Sequence, residues 1–505
     1  MTEKPGSKLL QSRASRRAVV GAGVTAAALA SIYAAFGKDL FQPVPSDSKG
    51  GFDEAALSRE DARVSHLLRR AGFGVTRAEN DRYQAMGLEA TTRELFHFDE
   101  VDDNEAESLA DSVLGAGERV SPVAWWVTRI ANTKRPLQEK MTLFWHGLLT
   151  SQISVVKDPQ AMLDQNQFFR DNALGSFPDI LKGVTKTAAM MVYLNMDGSH
   201  KSAPNENYPR ELMELFSLGE GNFGEEDVRE ASRAFTGWRV PRQRNDVGRP
   251  ALLEPVFRPQ SFDSGSKTVF GRTGNFDADD VIDLIVEQPA SARFIVGKLF
   301  AFFVYPQPDE ADLDPFVEVY LESGRNIGAT VEALLRSEAF YLPRAYRAIV
   351  KSPIEYAVSA LKALGLQDGL ATLVAGRGRG AGGVLAEMGQ TLMEPPNVAG
   401  WRGGAAWLNS ATIFARLNYI DLLTGGAAVA TADRRSPAIS VPVLPYATPA
   451  ETLAALLPFA LDDNVSAEQR AALLDFAGGA EAALSPDATR ELGYLILGSP
   501  QFHLA

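Results

Sequence analysis

Apolar residues in this chain return mostly at helical spacing. Leu57, Val64, Leu67, Leu68 and Ala71 recur near a period of 3.6 before Gly72-Phe73-Gly74 stops the run. The same period predicts helices over 122–150, 159–174, 178–193, 209–218 and 225–235. The last of these opens with Glu225-Glu226-Asp227, three acids suited to the positive end of the helix dipole, and stops at Thr236-Gly237. Val228, Ala231 and Phe235 form its buried stripe.

Between 239 and 277 the period is lost. Pro241, Pro250, Pro255 and Pro259 break the segment, which reads as a long connection with one short β-hairpin around 267–272. Helices return over 278–287, 290–304, 310–323, 327–337 and 353–364. Residues 375–383, with a Gly-Arg-Gly-Arg-Gly core, read as a mobile basic loop in which Arg377 and Arg379 offer anion capture as the lesser alternative. The loop lacks the preceding strand and the G-K-[ST] ending of a phosphate loop. An Ala/Thr/Pro-rich stretch runs to about Ala447, and two or three helices close the chain. A weak echo between 334–340 and 496–502 reads as two similar packing solutions rather than a duplication. The expected fold is mainly α: a large multi-helix globular body with long irregular connections and at most a short β-hairpin.

The apolar stretch from Ala18 to Phe36 stands apart, because Ser15-Arg16-Arg17-Ala18-Val19-Val20 runs straight into it. Paired arginines before a weakly hydrophobic, Ala/Gly-rich segment resemble a twin-arginine export signal, which addresses a chain to a translocase that moves folded proteins. The alternative is an uncleaved anchor, since about 20 apolar residues span a bilayer as a helix. Gly21, Gly23 and Thr25 weaken that alternative. The expected organisation is a signal or anchor at 1–37, a linker at 38–57, a helical domain at 58–425, a connection at 426–447 and C-terminal helices at 448–505 packing on the main domain. The expected location is the periplasm or cell envelope.

Charge narrows the partners. The net charge is -13, and residues 1–37 carry five basic side chains against Glu3, so the remainder stands near -17. A surface that acidic repels phosphate backbones and anionic lipid, which argues against nucleic acid and leaves the N-terminal segment as the expected membrane contact. The absence of cysteine excludes disulfides, thiolate metal sites and cysteine nucleophiles. A divalent metal, if the protein uses one, needs the five histidines, carboxylates or amides.

The densest polar stretch runs from Asn195-Met196-Asp197-Gly198 to Pro204-Asn205-Glu206-Asn207-Tyr208-Pro209-Arg210-Glu211-Leu212-Met213-Glu214. Pro209 fits a first helical turn and leaves Asn205 and Glu206 in the loop before it. Glu211 and Glu214, three apart, share a helix face. With Asp197, Asn205, Glu206 and His146 they are candidate ligands for a hard cation, and Glu211, Glu214 and His146 are candidate acid/base groups. The structural alternative is that Asn205 caps the turn, the acids complement the dipole or pair with Arg210, and His146, at an aromatic helix end, is a packing residue. If the segment is a site, it faces a cavity shared with His146. Trp238, Trp401 and Trp407, each beside glycine or alanine, are expected to be buried and structural.

Several ordered motifs together resemble one bacterial family. They are His66-Leu67-Leu68-Arg69-Arg70-Ala71-Gly72-Phe73-Gly74, Glu139-Lys140-Met141-Thr142-Leu143-Phe144-Trp145-His146 and Pro204-Asn205-Glu206-Asn207-Tyr208 through Arg210-Glu211-Leu212. Ala234-Phe235-Thr236-Gly237-Trp238, Lys267-Thr268-Val269-Phe270-Gly271, Ala292-Arg293-Phe294-Ile295 and Pro395-Pro396-Asn397-Val398-Ala399-Gly400-Trp401 complete the set. The chain thereby resembles the exported family catalogued as domain of unknown function 1800. The resemblance implies a largely helical exported protein, often encoded beside a member of the family called domain of unknown function 1501. It also implies two further histidines, at positions occupied here by Leu148 and Phe262, so that any metal site built from the family's histidines is incomplete in this chain. The expected function is that of an exported envelope protein working with such a partner in assembly or binding. The alternative is a metal-assisted enzyme acting on an envelope polymer or small molecule.

Overall fold

Helix after helix begins where a capping residue meets proline. In the computed structural model, which describes residues 56–115, 121–244, 250–366, 383–424 and 447–505, Ser121 caps Pro122–Asn132 by accepting the Ala124 N–H. Asp158 caps Pro159–Asp171 through the N–H groups of Gln160 and Ala161. Ser352, with Glu355 reaching back to its N–H, caps Pro353–Leu364. Proline suits the first turn because its missing N–H has no partner there. The export-like segment, most of the linker, the loop at 376–382 and the connection at 426–446 lie outside the described residues.

The fold is mainly α, as the period requires. Two predicted helices are each divided. The span 122–150 becomes Pro122–Asn132 and Pro136–Leu148, because Pro136 cannot continue the hydrogen-bond ladder. The span 178–193 becomes Phe177–Thr185 and Ala188–Tyr193, restarted by the Thr187 hydroxyl, which accepts the Met190 N–H. Among the described residues no helix is long and apolar enough to cross a membrane.

Strand content exceeds the single hairpin expected. Three short antiparallel pairs form: β1 (Trp238–Arg239) with β4 (Val256–Phe257), β2 (Arg242–Arg244) with β3 (Pro250–Leu252), and β5 (Lys267–Val269) with β6 (Arg272–Gly274). The last is the predicted hairpin. The other two left no alternating pattern to read, since β2 and β4 are solvent-exposed along their whole length.

By its internal contacts the chain divides into two units woven from non-contiguous segments. Among the described residues, one contains those up to Thr92, those within Tyr341–Gln390 and those within Gly403–Ala505; the other contains those within Arg93–Phe340 and Thr391–Arg402. The C-terminal helices Pro449–Leu461 and Pro486–Leu497 therefore share a unit with Glu60–Ala71, the helix carrying the His66–Gly74 motif. That motif has a structural explanation. Buried Arg69 pairs with buried Asp462, which also accepts Arg347 at 3.1 Å and the Tyr346 hydroxyl at 2.7 Å. Gly74, at φ +86°, lies where a Cβ would come 2.8 Å from that of Ser359, so helix Pro353–Leu364 can approach the turn.

Candidate functional site

The second unit holds every residue singled out as a candidate ligand or acid/base group. His146 sits near the end of Pro136–Leu148 and is 2 % exposed. Its Nε2 accepts the Met393 N–H at 3.0 Å, and its ring lies between Trp126 at 5.2 Å and Trp401 at 5.7 Å. Burial lowers its pKa to about 3, so the ring is neutral at physiological pH.

Met393 belongs to a strap, Thr391–Arg402, that crosses this helix end. The Met393 carbonyl accepts the Ile153 N–H at 2.9 Å, the Thr150 hydroxyl donates to the Val398 carbonyl at 2.7 Å, and Ser154 donates its N–H to Glu394 at 3.0 Å. Gly400, at φ +75°, comes so close that a Cβ there would stand 2.2 Å from the Gly147 carbonyl oxygen. The Pro395–Trp401 motif is thus a fitted clasp. Trp401 and Trp238 are only half-buried, contrary to expectation, because one lies at the end of the strap and the other on a two-residue strand; Trp407 is buried.

The polar segment adopts the arrangement of its structural alternative over much of its length. The Asn205 side chain accepts the Asn207 N–H at 2.9 Å, just before the short helix Asn207–Glu211. Glu206 pairs with Arg210 at 3.1 Å, and Arg210 also holds Glu225 at 2.8 Å. Asp197 accepts the Val240 N–H at 2.9 Å and pairs with Arg242 at 2.7 Å. The helix then widens into a π-turn over Leu212–Ser217, which alters the simple three-residue spacing between Glu211 and Glu214.

Glu211 differs from these paired groups. Burial and then the charge of Glu214 raise its carboxyl above the ordinary value, with Arg210 opposing. The Tyr193 hydroxyl is raised first by burial and then by the charges of Glu394 and Glu211, with Thr150 opposing. Tyr193 therefore lies within electrostatic reach of both the strap and the polar segment. A cleft of about 350 Å³ opens beside that segment, lined by Pro204, Glu206, Arg229, Glu230, Ser232 and Arg233. Of the six candidates only Glu206 is on its wall, so this cleft does not join the segment to His146. Among the described residues no three His, Asp or Glu side chains form a group that could hold a metal ion.

Sequence reading gave Glu139 no role of its own. It is fully buried, accepts Trp126 Nε1 at 3.0 Å and Arg129 Nε at 2.9 Å, and binds Arg170 through both carboxylate oxygens. Burial would raise its carboxyl, but the charge and hydrogen bonds of Arg170, then Arg129 and Trp126, hold it below the ordinary value. A glutamate amid apolar helix residues was the available signal. Phe262, where the family resemblance implies histidine, packs against Phe257 at 5.5 Å and under the Lys267 ammonium at 4.8 Å.

No curated protein and no solved structure matches the chain. A family model described as "Protein of unknown function (DUF1800)" matches residues 66–504, a span holding the clasp, the polar segment and the buried Glu139 cluster. The chain belongs to the DUF1800 family.

Proposed function

We propose that the protein is exported through its twin-arginine-like segment and works in the cell envelope by binding or assembly with a second exported protein, a member of the family called domain of unknown function 1501 being the expected partner. The observation that carries the binding reading is where the candidate polar groups are spent. His146 is used by Met393, Asp197 by Val240 and Arg242, and Glu206 by Arg210, so these side chains hold loops and helix ends together. Beside them opens a cleft whose walls carry Glu206, Arg229, Glu230 and Arg233, held in place by ion pairs, a preformed polar lining suited to a polar segment of a partner protein.

Two measurements test this reading. Replacing Arg16 and Arg17 together by lysine should leave folded protein in the cytoplasm, and normal export of that variant would defeat the proposed route. Cross-linking in intact cells and recovery from the envelope fraction should return one stoichiometric exported partner; a chain recovered alone at native abundance would defeat the assembly role.

The Glu211 environment favours the acid/base form of a second reading, a metal-assisted or acid/base enzyme acting on an envelope polymer or small molecule. A half-buried carboxyl raised above its ordinary value by burial and by Glu214 holds a proton more readily than an exposed glutamate, as acid/base work requires. Metal analysis of protein purified without chelators tests the metal form: less than about 0.1 divalent ion per chain would remove it. Glu211→Gln should abolish ligand binding with little loss of stability if Glu211 serves a site, and should lower stability alone if it is structural.

A further inference from the structure

The segment from Trp238 to Arg258 reverses the character of the chain around it. Its described residues carry four arginines, Arg239, Arg242, Arg244 and Arg258, against one acid, Glu254, in a protein whose net charge is -13. All five side chains are exposed. Large apolar groups stand among them: Leu253 is 36 % exposed, and Val256 and Phe257 are 41 % each.

Strand register decides how these groups are presented. Trp238 is opposite Phe257, and Arg239 is opposite Val256. Neighbouring residues of a strand point to opposite faces, so Val256 and Phe257 expose apolar surface on both sides of the ribbon. One face carries the aromatic pair, with rings 5.4 Å apart, and the other carries valine beside arginine. A protein partner laid on one face would cover only half of this apolar surface. A wedge entering the headgroup region of a bilayer covers both faces at once.

The ribbon is also fixed in place. The Leu252 N–H donates to Asp158 at 2.6 Å, the cap of helix Pro159–Asp171, and the Arg258 N–H donates to the Gly237 carbonyl at 2.8 Å. Gly237, at φ +92°, lets Phe257 and Phe262 approach its backbone, where a Cβ would meet them at 2.9 and 3.1 Å.

We infer that the paired strands β1 and β4, with the segment at Leu253, dock on an anionic phospholipid surface, Leu253, Val256 and Phe257 entering the headgroup boundary and Arg239 and Arg258 meeting lipid phosphates. The overall negative charge does not prevent this. At physiological salt, charges beyond about 8 Å are largely screened, so the membrane responds to the local arginines. The apolar contribution scales with the area that leaves water.

The absence of cysteine allows a direct test on the full chain. A spin label is placed through Val256→Cys and, as a control, through Leu321→Cys, a position 48 % exposed on the helix Glu310–Glu322. Each is mixed with vesicles of phosphatidylcholine alone and of phosphatidylcholine with phosphatidylglycerol, and accessibility to oxygen is compared with accessibility to a water-soluble nickel chelate. The label at 256 should move into the oxygen-rich phase on the mixed vesicles only, and the label at 321 should stay aqueous. Arg239→Glu combined with Arg258→Glu should abolish the shift at 256 while circular dichroism is unchanged. A label at 256 that stays aqueous on vesicles would overturn the inference; so would equal immersion on neutral vesicles. Any vesicle binding through the N-terminal segment is common to all these variants and does not move the label at 256. An acidic protein as the true occupant would show itself as protection of residue 256 in the envelope extract with no immersion in pure lipid, which likewise overturns it.

Discussion

His146 Nε2 accepts the backbone N–H of Met393 at 3.0 Å, across 247 positions of sequence. A protonated ring would have no lone pair for that bond and would carry charge in a buried site. With the folded pKa at about 3 and the unfolded value at 6.5, the unfolded state binds the extra proton between those limits. Stability should therefore be fully present above pH 6.5 and fall on acidification through the window, by up to about 5 kcal/mol from this residue. Urea titrations between pH 7 and 4 should show that slope, and His146→Gln should make it shallower, leaving the part that buried His503 contributes in the same direction. An unchanged slope in a folded His146→Gln protein would contradict the assignment.

Gly400 and Gly147 face each other and should respond in opposite ways to alanine. At Gly400 a Cβ meets the Gly147 oxygen at 2.2 Å in a left-handed conformation, so Gly400→Ala should cost on the order of 3 kcal/mol and expose the strap to proteolysis. Nothing lies within 4 Å of a Cβ at Gly147, inside a helix. Gly147→Ala should be neutral or stabilising by up to about 1 kcal/mol. Denaturant midpoints of the two variants make the comparison.

Removal of Glu139 should be among the most damaging single changes in the second unit. Glu139→Ala leaves Arg129 and Arg170, both nearly fully buried, without the carboxylate they share, at a cost of about 3–5 kcal/mol. Arg210→Ala, which breaks the solvent-exposed pairs with Glu206 and Glu225, should cost less than about 1 kcal/mol. Equal losses in thermal or urea unfolding would refute this ordering.

Trp407→Ala should destabilise more than Trp401→Ala, because Trp407 is 8 % exposed while Trp401 is half-buried over the His146 ring. For the buried ring the expected loss is about 3–5 kcal/mol. Melting of the two variants side by side checks it.

Helix positions were legible because period, proline and capping residues agree locally; Ser352, Pro353 and Glu355 state one helix start three times over. The β5–β6 hairpin was legible for the same reason, its turn being two residues long. What stayed hidden depends on distant partners. Nothing near Trp238 announces Phe257, and nothing near Glu139 announces Arg170. For the candidate site, the Asn205 turn and the Glu206–Arg210 pair follow from neighbours in sequence, whereas the use of His146 depends on a strap that begins at Thr391.

The interleaving of the two units sets an order on their completion. During synthesis the Arg93–Phe340 body emerges early, but its clasp, with Gly400 against Gly147, is not available until the ribosome has passed Arg402. The other unit waits longer still, since the Asp462 that neutralises Arg69 and Arg347 is made after Arg402. Until then an arginine pair destined for burial has no counter-charge. The nascent chain thus carries its own reason to stay open at Glu60–Ala71 until Asp462 has been made, and a chain terminated before Asp462 would leave that helix unmatched.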